Sequence, residues 1–277
     1  MSTFYRFPGG LHKAVTLSYD DGVEQDIRLM EILDQHGIKC TFNLNSGCWA
    51  PEGTVYAPGT IHRRMSKSQV EKVYANPNHE VAAHCLTHAS LTELSPAEVA
   101  WEVLEDRRNL ENMFGGLVRG LAYPFGTHSD RVVDALRATG VAYARTVVST
   151  NDCSIPGDWL RLHPTCHHNA PNLMQLCDRF LQDSAPFGSR LFYLWGHSYE
   201  FEADNNWHVI EEFCDKMGGH EDIWYATNIQ IVDYVNACRR VIASADGKTL
   251  YNPTSTDVWA DVNGKAVFLP AGQTTRV

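Results

Sequence analysis

The sequence lacks any apolar run near the ~20 residues that a membrane-spanning helix requires. Its first ten residues also lack the basic and apolar regions of a secretory signal peptide. Positive charge is in deficit, because 23 Lys and Arg face 33 Asp and Glu, and the net charge is −10. If the chain is complete, these absences predict a cytoplasmic protein that binds neither membranes nor nucleic acid, since an anionic partner needs a basic surface.

Paired cysteines, repeats and low-complexity segments are also missing. The eight cysteines form no Cys-x-x-Cys pair and no compact framework, so we expect reduced and mostly buried thiols instead of disulfides. Hydrophobic residues make up 44% of the chain and charged residues 20%, which is ordinary for a globular enzyme.

Strand-like apolar runs alternate with amphipathic helical stretches over most of the chain, ending in a predicted helix over residues 228–244. Repeated β–α units predict an α/β fold with a mostly parallel sheet, either open or closed into a barrel. We assign residues 1–246 to this unit. Residues 247–277 are predicted to form a short β appendage packed on it, with a hairpin around Asn263-Gly264.

Two adjacent carboxylates, Asp20 and Asp21, follow a buried strand at the end where parallel α/β folds gather their active-site groups. They point in different directions, so one can bind a cation while the other acts as a base. The alternative is a solvated Asp-Asp-Gly turn, which is the commoner meaning of this tripeptide when it stands alone.

Two histidines, His84 and His88, follow the strand predicted over residues 80–83. At this spacing the side chains share a face if the intervening turn is helical, and imidazole suits zinc and similar ions. In a chain with 13 histidines such a pair is more often incidental. Together with the Asp-Asp-Gly segment, however, it predicts a catalytic metal site with positions open to water.

A third histidine, His197, follows the apolar strand predicted over residues 190–195 and should reach the same edge of the sheet. A histidine at this position can protonate a leaving amine. The alternative is a histidine that only caps a loop by hydrogen bonding.

In their order, these motifs resemble those of the polysaccharide deacetylase family (the NodB homology domain, carbohydrate esterase family 4). The matching segments are Thr16 to Gly22, His84 to His88 with Cys85 where the family has Ser or Thr, Ala122 to Gly126, Asp158-Trp159, and Leu194 to His197. The resemblance extends over about residues 12–240. It implies a distorted (β/α) barrel.

The resemblance also implies roles for individual residues. Asp20 would be the general base, and His197 the general acid, oriented by Asp158. One divalent metal ion, zinc in the first place and otherwise cobalt or nickel, would be held by Asp21, His84 and His88. The backbone amide of Phe125 would stabilise the oxyanion, and the residues expected to line the substrate site beside it are Tyr123 and Trp159.

Two features depart from the family pattern. Ala122 stands where the family has an arginine that contacts the base, and Arg119, three residues earlier, is a candidate replacement. The segment 163–168 is rich in histidine and either lines the pocket or forms a solvated loop.

The expected function is metal-dependent hydrolysis of a carbon–nitrogen amide bond, as a deacetylase of an N-acetylated sugar or oligosaccharide in carbohydrate metabolism. Two alternatives remain: hydrolysis of a cyclic amide or imide on the same fold, and a non-catalytic protein that binds carbohydrate. The unpaired edges of the β appendage would also allow chains to pair into a homo-oligomer.

Overall fold

The computed structural model describes residues 3–184 and 188–277. A sheet of strands forms the centre of the molecule. The strands are β1 (Thr3–Arg6), β2 (Lys13–Asp20), β3 (Cys40–Leu44), β4 (Glu80–Ala83), β5 (Gly120–Ala122), β6 (Tyr143–Arg145), β7 (Cys166–His167), β8 (Arg190–Gly196), β9 (Ile223–Tyr225), β10 (Ile242–Ala243), β11 (Thr249–Tyr251), β12 (Val258–Val262), β13 (Lys265–Leu269) and β14 (Thr274–Arg276). Strands β2 to β9 form one parallel sheet in the order β6-β5-β4-β3-β2-β8-β7, with β9 also paired to β2.

The helices lie between successive strands. They are α1 (Gln25–Gln35), α2 (Lys67–Val73), α3 (Pro96–Phe114), α4 (Asp130–Ala138), α5 (Leu173–Gln182), α6 (Ser198–Ala203), α7 (His208–Met217) and α8 (Asn228–Arg239). None of those within the described residues is long and apolar enough to cross a membrane. The prediction of repeated β–α units around a parallel sheet is therefore confirmed.

Strand β2 lies inside the sheet, and all eight of its residues are buried. Its side chains alternate between the two covered faces: Val15, Leu17 and Tyr19 belong to the hydrophobic core, whereas Thr16, Ser18 and Asp20 on the other face are buried polar residues. The sheet curls toward closure, since Leu162 forms a parallel bridge to Arg145 at the end of β6 and the segment that follows it pairs with β8 through β7. The resulting shape is a distorted, incomplete barrel.

The C-terminal residues form strands outside this sheet. β12 and β13 make the predicted hairpin, and the turn residues Asn263 and Gly264 both have positive φ, as a tight hairpin requires. The hairpin is not isolated, because β12 also pairs with the N-terminal strand β1. The predicted helix over 228–244 was too long: α8 ends at Arg239, and Ile242–Ala243 instead pair with β11.

The register of the parallel sheet positions the polar residues. Asp20 lies beside Asn43 at the end of β2 and β3, and β4 ends in register with β3 just before His84. Strand β8 ends at Gly196, immediately before His197. The predicted functional side chains therefore meet at the carboxyl ends of β2, β4 and β8, because parallel strands present these ends on one edge.

Candidate active site

The three predicted metal ligands lie together. One ligand atom from each of Asp21, His84 and His88 can be chosen so that all three atoms are within 4.8 Å of one another. The segment from His84 to His88 is not helical, which corrects the predicted i, i+4 geometry. Cys85 and His88 have φ of 63° and 56°, so a tight turn in the left-handed region brings the two rings together. Their centroids are 4.8 Å apart.

The chemistry of these donors fits a divalent metal ion. The Nδ1 of His84 donates to the Ala122 carbonyl oxygen at 2.8 Å, since a carbonyl can only accept, and the Nε2 lone pair is left for a metal. Burial lowers the pKa of His84, and burial together with the charge of His84 lowers the pKa of His88 to about 4. Both rings are therefore neutral at pH 7, the state in which imidazole binds a metal.

Helix α3 supports the turn that carries these histidines. The Asp106 carboxylate accepts the backbone N–H groups of Ser46 at 2.7 Å and of His84 at 3.0 Å. Glu102 accepts both the backbone N–H and the hydroxyl of Thr87, at 2.9 and 2.7 Å. These two acids therefore tie the turn to helix α3 through its backbone N–H groups and the Thr87 hydroxyl. Neither acid was singled out from the sequence, because each lies within an ordinary amphipathic helix.

Two further residues contact the Asp21 carboxylate. Arg64 donates to Oδ1 at 3.0 Å and to the Asp21 backbone oxygen at 2.8 Å, and the His62 Nε2 lies 3.3 Å from Oδ2. Burial alone would raise the pKa of Asp21, but His62, His84 and Arg64 hold it far below its usual range. The carboxylate therefore stays ionised and available as a metal ligand.

Asp20 occupies a different position from Asp21. Its Oδ1 accepts a hydrogen bond from the Asn43 amide at 2.8 Å. Its Oδ2 contacts the Arg145 guanidinium and lies 3.8 Å from the His84 Nε2 and 3.7 Å from the His197 Nε2. Burial would raise the pKa of Asp20, but the charge of Arg145, followed by those of His84 and His197, holds it below its ordinary value.

Arg145 is the arginine that contacts the proposed base. It is fully buried at the end of β6, and its register partner on β5 is Ala122, the position at which the family carries its arginine. Arg145 thus reaches Asp20 from the strand paired with the one that carries Ala122. Arg119, the replacement considered from the sequence, instead pairs with Asp233 on the surface. Which strand supplies the arginine is a matter of register, so no local motif indicated Arg145.

His197 lies between two carboxylates. Its Nε2 faces Asp20, and its Nδ1 is 3.3 Å from the Glu200 Oε1. Burial disfavours the imidazolium, but the Glu200 carboxylate and the charge of Asp20 outweigh it, and the pKa of His197 is raised. The structure places Glu200, and not the expected Asp158, beside His197. Asp158 pairs with Arg161 and accepts the backbone N–H of Leu160, at 2.8 and 3.0 Å.

The three predicted substrate-site residues lie in different surroundings. Phe125 has a φ of 58° in a 3-10 turn, its side chain is 64% exposed, and its ring centroid is 4.6 Å from that of His88. Tyr123 is buried, and its hydroxyl donates to the Leu160 backbone oxygen at 2.7 Å. Trp159 donates from Nε1 to Asn236 on α8 at 2.8 Å. Of the three, Phe125 contacts a predicted metal ligand.

The histidine-rich segment divides into two parts. The His163 Nδ1 is 2.5 Å from the Thr146 hydroxyl, and its ring lies 6.3 Å from that of His128. His167 and His168 instead reach Glu200 beside His197. The second half of this segment therefore adjoins the site.

Comparison with known proteins points to one family. Residues 8–144 match the family model described as polysaccharide deacetylase. A chitooligosaccharide deacetylase from Bradyrhizobium sp. is 29% identical over 150 residues, which are 52% of this chain and 61% of that protein. A peptidoglycan-N-acetylglucosamine deacetylase from Listeria monocytogenes is 22% identical over 51% of this chain and 27% of its own length. The chain thus matches less than two thirds of the length of these relatives.

A solved structure extends the likeness to most of the fold. A crystal structure of a protein from Mycobacterium smegmatis, assigned to the polysaccharide deacetylases, superposes with a TM-score of 0.60 and 17% identity. The superposition covers 86% of this chain and 96% of that one. At this identity the likeness supports the fold alone, and it confirms the predicted barrel type.

Proposed function

Because the chain belongs to the polysaccharide deacetylase family, we propose that it is a metal-dependent amide hydrolase that removes the acetyl group from an N-acetylated sugar or oligosaccharide. The relatives named above are deacetylases of chitooligosaccharides and of peptidoglycan N-acetylglucosamine. An acetylated amino sugar is common to both names. Metal-dependent hydrolysis of an amide uses a metal ion, a base, an acid and an oxyanion donor around one carbonyl.

One observation carries the proposal: the Asp20 Oδ2 lies within 3.8 Å of both the His84 Nε2 and the His197 Nε2. The proposed base thus stands between a predicted metal ligand and the proposed acid. Hydrolysis of an amide by water needs a base and an acid close to each other. The base takes a proton from the water, and the acid gives a proton to the departing amine.

The metal would be held by Asp21, His84 and His88. When bound, a divalent ion at these donors lowers the pKa of water and polarises the substrate carbonyl. We propose zinc, because two imidazoles and one carboxylate form a common catalytic zinc set, and cobalt and nickel accept the same donors.

The residues of the chain would then divide the proton transfers. Asp20, kept ionised by Arg145, accepts a proton from the attacking water. His197, whose pKa the Glu200 and Asp20 carboxylates raise, donates a proton from Nε2 to the departing amine. The backbone N–H of Phe125, beside His88, stabilises the negative charge that develops on the carbonyl oxygen.

The experiment is a deacetylation assay on zinc-loaded protein with N-acetylated chitooligosaccharides, in which released acetate and free amine are both measured. We expect equal amounts of the two products. The His84→Ala/His88→Ala double variant should be inactive, and His208→Ala, at an exposed histidine on α7, should match the wild type.

Two other results would change the assignment. Ring opening of a cyclic imide without release of acetate would favour the cyclic amide hydrolase. Saturable binding of the oligosaccharide with no acetate, equal in the wild type and the double variant, would favour a carbohydrate-binding protein.

A further inference from the structure

Tyr199 is an aromatic residue of α6 that lies beside the proposed acid. Its ring centroid is 5.2 Å from that of His197 and 4.9 Å from that of His62, which meets it edge-on at 77°. The His62 Nε2 in turn lies 3.3 Å from the Asp21 Oδ2. Ring contacts of Tyr199 therefore connect the acid to the surroundings of a proposed metal ligand. No motif indicated this residue, because it lies outside the five segments that match the family.

The Tyr199 ring is accessible to a ligand, although the carboxylates near it are not. Its side chain is half-buried, and 42% of the neighbouring His62 side chain is exposed, whereas Asp20 and Asp21 are buried. Burial, followed by the charges of Asp21, Glu200 and Asp20, raises the pKa of Tyr199. The phenol therefore stays protonated at neutral pH and presents an uncharged aromatic surface next to the charged groups of the site.

The backbone that carries Tyr199 is held before any ligand binds. The preceding residue, Ser198, donates from its hydroxyl to the buried Asp26 carboxylate at 2.5 Å. Three residues further on, the Glu202 carboxylate accepts two hydrogen bonds from Arg63, at 2.7 and 2.9 Å, which tie α6 to the loop between β3 and α2. A side chain on such a fixed support loses little freedom on binding, so its contacts contribute more to affinity.

The direction of amide cleavage decides what this ring would contact. In the proposed reaction the carbonyl oxygen faces the Phe125 backbone N–H, and the amide nitrogen faces the His197 Nε2, from which it receives a proton. The sugar is bonded to that nitrogen, so it lies on the side of His197. Trp195 also has its ring near His197, at 5.7 Å, but it is buried. Tyr199 is therefore the aromatic residue placed to meet the sugar.

We propose that Tyr199 is a specificity-determining residue whose ring stacks on the sugar that bears the acetamide. The face of an aromatic ring carries partial negative charge, and the C–H groups on one face of a sugar ring are weakly positive. Such a contact selects a sugar as the leaving group over a small alkyl group. The inference rests on the proposed function, because that function sets the orientation of the substrate.

The test compares binding and turnover in zinc-loaded protein. Tri-N-acetylchitotriose is titrated by calorimetry into Asp20→Asn protein, in which hydrolysis should be slow, and into the Asp20→Asn/Tyr199→Leu variant. We expect the Kd to rise about tenfold without the ring, which is near the upper end of what an aromatic contact contributes. With Asp20 restored, Tyr199→Leu should lower kcat/KM for this oligosaccharide by a similar factor. Its kcat/KM for ethyl acetate, an acetyl ester without a sugar, should equal that of the wild type.

Matched variants separate the ring from the fold. Tyr251→Leu removes a tyrosine that is 40% exposed on β11 and should leave the Kd unchanged. Tyr199→Phe keeps the ring and should bind like its parent. Circular dichroism and zinc content check each variant. An unchanged Kd in folded Tyr199→Leu protein, or a loss in Tyr199→Phe as large as that in Tyr199→Leu, would overturn the inference.

A second measurement needs no substitution of Tyr199. In hydroxyl-radical footprinting of the Asp20→Asn protein, bound oligosaccharide should decrease the oxidation of Tyr199 and leave that of Tyr251 unchanged. Equal oxidation of Tyr199 with and without the oligosaccharide would refute the contact, even if Tyr199→Leu does not fold.

The two proposals fail in different ways. A Kd that depends on Tyr199, in a protein whose wild type releases no acetate, would refute the deacetylation and support the stacking contact. Release of acetate at a rate that Tyr199→Leu leaves unchanged would support the deacetylation and refute the stacking contact.

Discussion

The buried pair of Arg145 and Asp20 should dominate the response of the fold to mutation. Arg145 has no exposed surface, its guanidinium contacts the Asp20 carboxylate, and it lies 4.5 Å from the centre of the Trp195 ring. Arg145→Met keeps the unbranched chain and removes the charge. Asp20 would then be a buried carboxylate without its guanidinium partner.

The expected cost follows from the burial of both partners. Removing one partner of a buried ion pair destabilises a protein by about 3–5 kcal/mol, because the charge that remains is uncompensated. For 277 residues the unfolding entropy near 60 °C is roughly 0.6 kcal/mol/K, so the melting temperature should fall by about 5–9 °C. Thermal and urea unfolding of metal-free protein at pH 7 measure both quantities.

Two companion variants sharpen this measurement. Arg119→Met removes an arginine from the exposed pair with Asp233, and such surface pairs are worth about 0–1 kcal/mol. Arg145→Met combined with Asp20→Asn removes both buried charges, so it should cost less than Arg145→Met alone. The reasoning is refuted if Arg145→Met costs no more than Arg119→Met.

Three other outcomes concern the base, the acid and a buried acid of α1. Asp20→Asn should lower turnover by about 10²–10⁴ and leave zinc content at the wild-type level; full turnover would remove Asp20 as the base. His197→Ala should abolish the alkaline limb of the pH–rate profile, since an acid with a raised pKa works only while protonated; a persistent limb would place the acid elsewhere. Burial raises the pKa of Asp26 to about 7, so the fold favours its protonated form. The contribution of Asp26 to stability is therefore present near pH 4 and should decrease as the pH rises to 7, by about 1.4 kcal/mol per pH unit. In urea unfolding Asp26→Asn should flatten this decrease, and an equal slope in both proteins would contradict it.

Local sequence patterns predicted most of the fold. Helix α3, for example, begins at Pro96 because the Ser95 and Glu98 side chains form a capping box with its first turn, a pattern that can be read from the sequence. The Asn263-Gly264 turn likewise marked its hairpin. The short strands at the N-terminus and after α8 were missed, since their partners lie far away in the chain and a few residues carry little periodicity.

In the candidate site, too, local sequence patterns predicted some features and missed others. Spacing and strand ends predicted that Asp20, Asp21, His84, His88 and His197 would share one edge of the sheet, and the structure brings them together. The prediction succeeded because parallel strands deliver their carboxyl ends to one edge of the sheet. The roles of these residues stay predictions until the experiments above are done.

Only the tertiary structure decided which charged groups surround these site residues. Arg145 reaches Asp20 from the strand beside Ala122, and Glu200 stands beside His197 where Asp158 was expected. Each contact depends on strand register or on the direction of a helix, which no local motif records. Sequence by itself determined the fold class and the residues at the strand ends, because these follow from short-range patterns. The charges that tune those residues come from elements distant in the chain, so only packing could assign them.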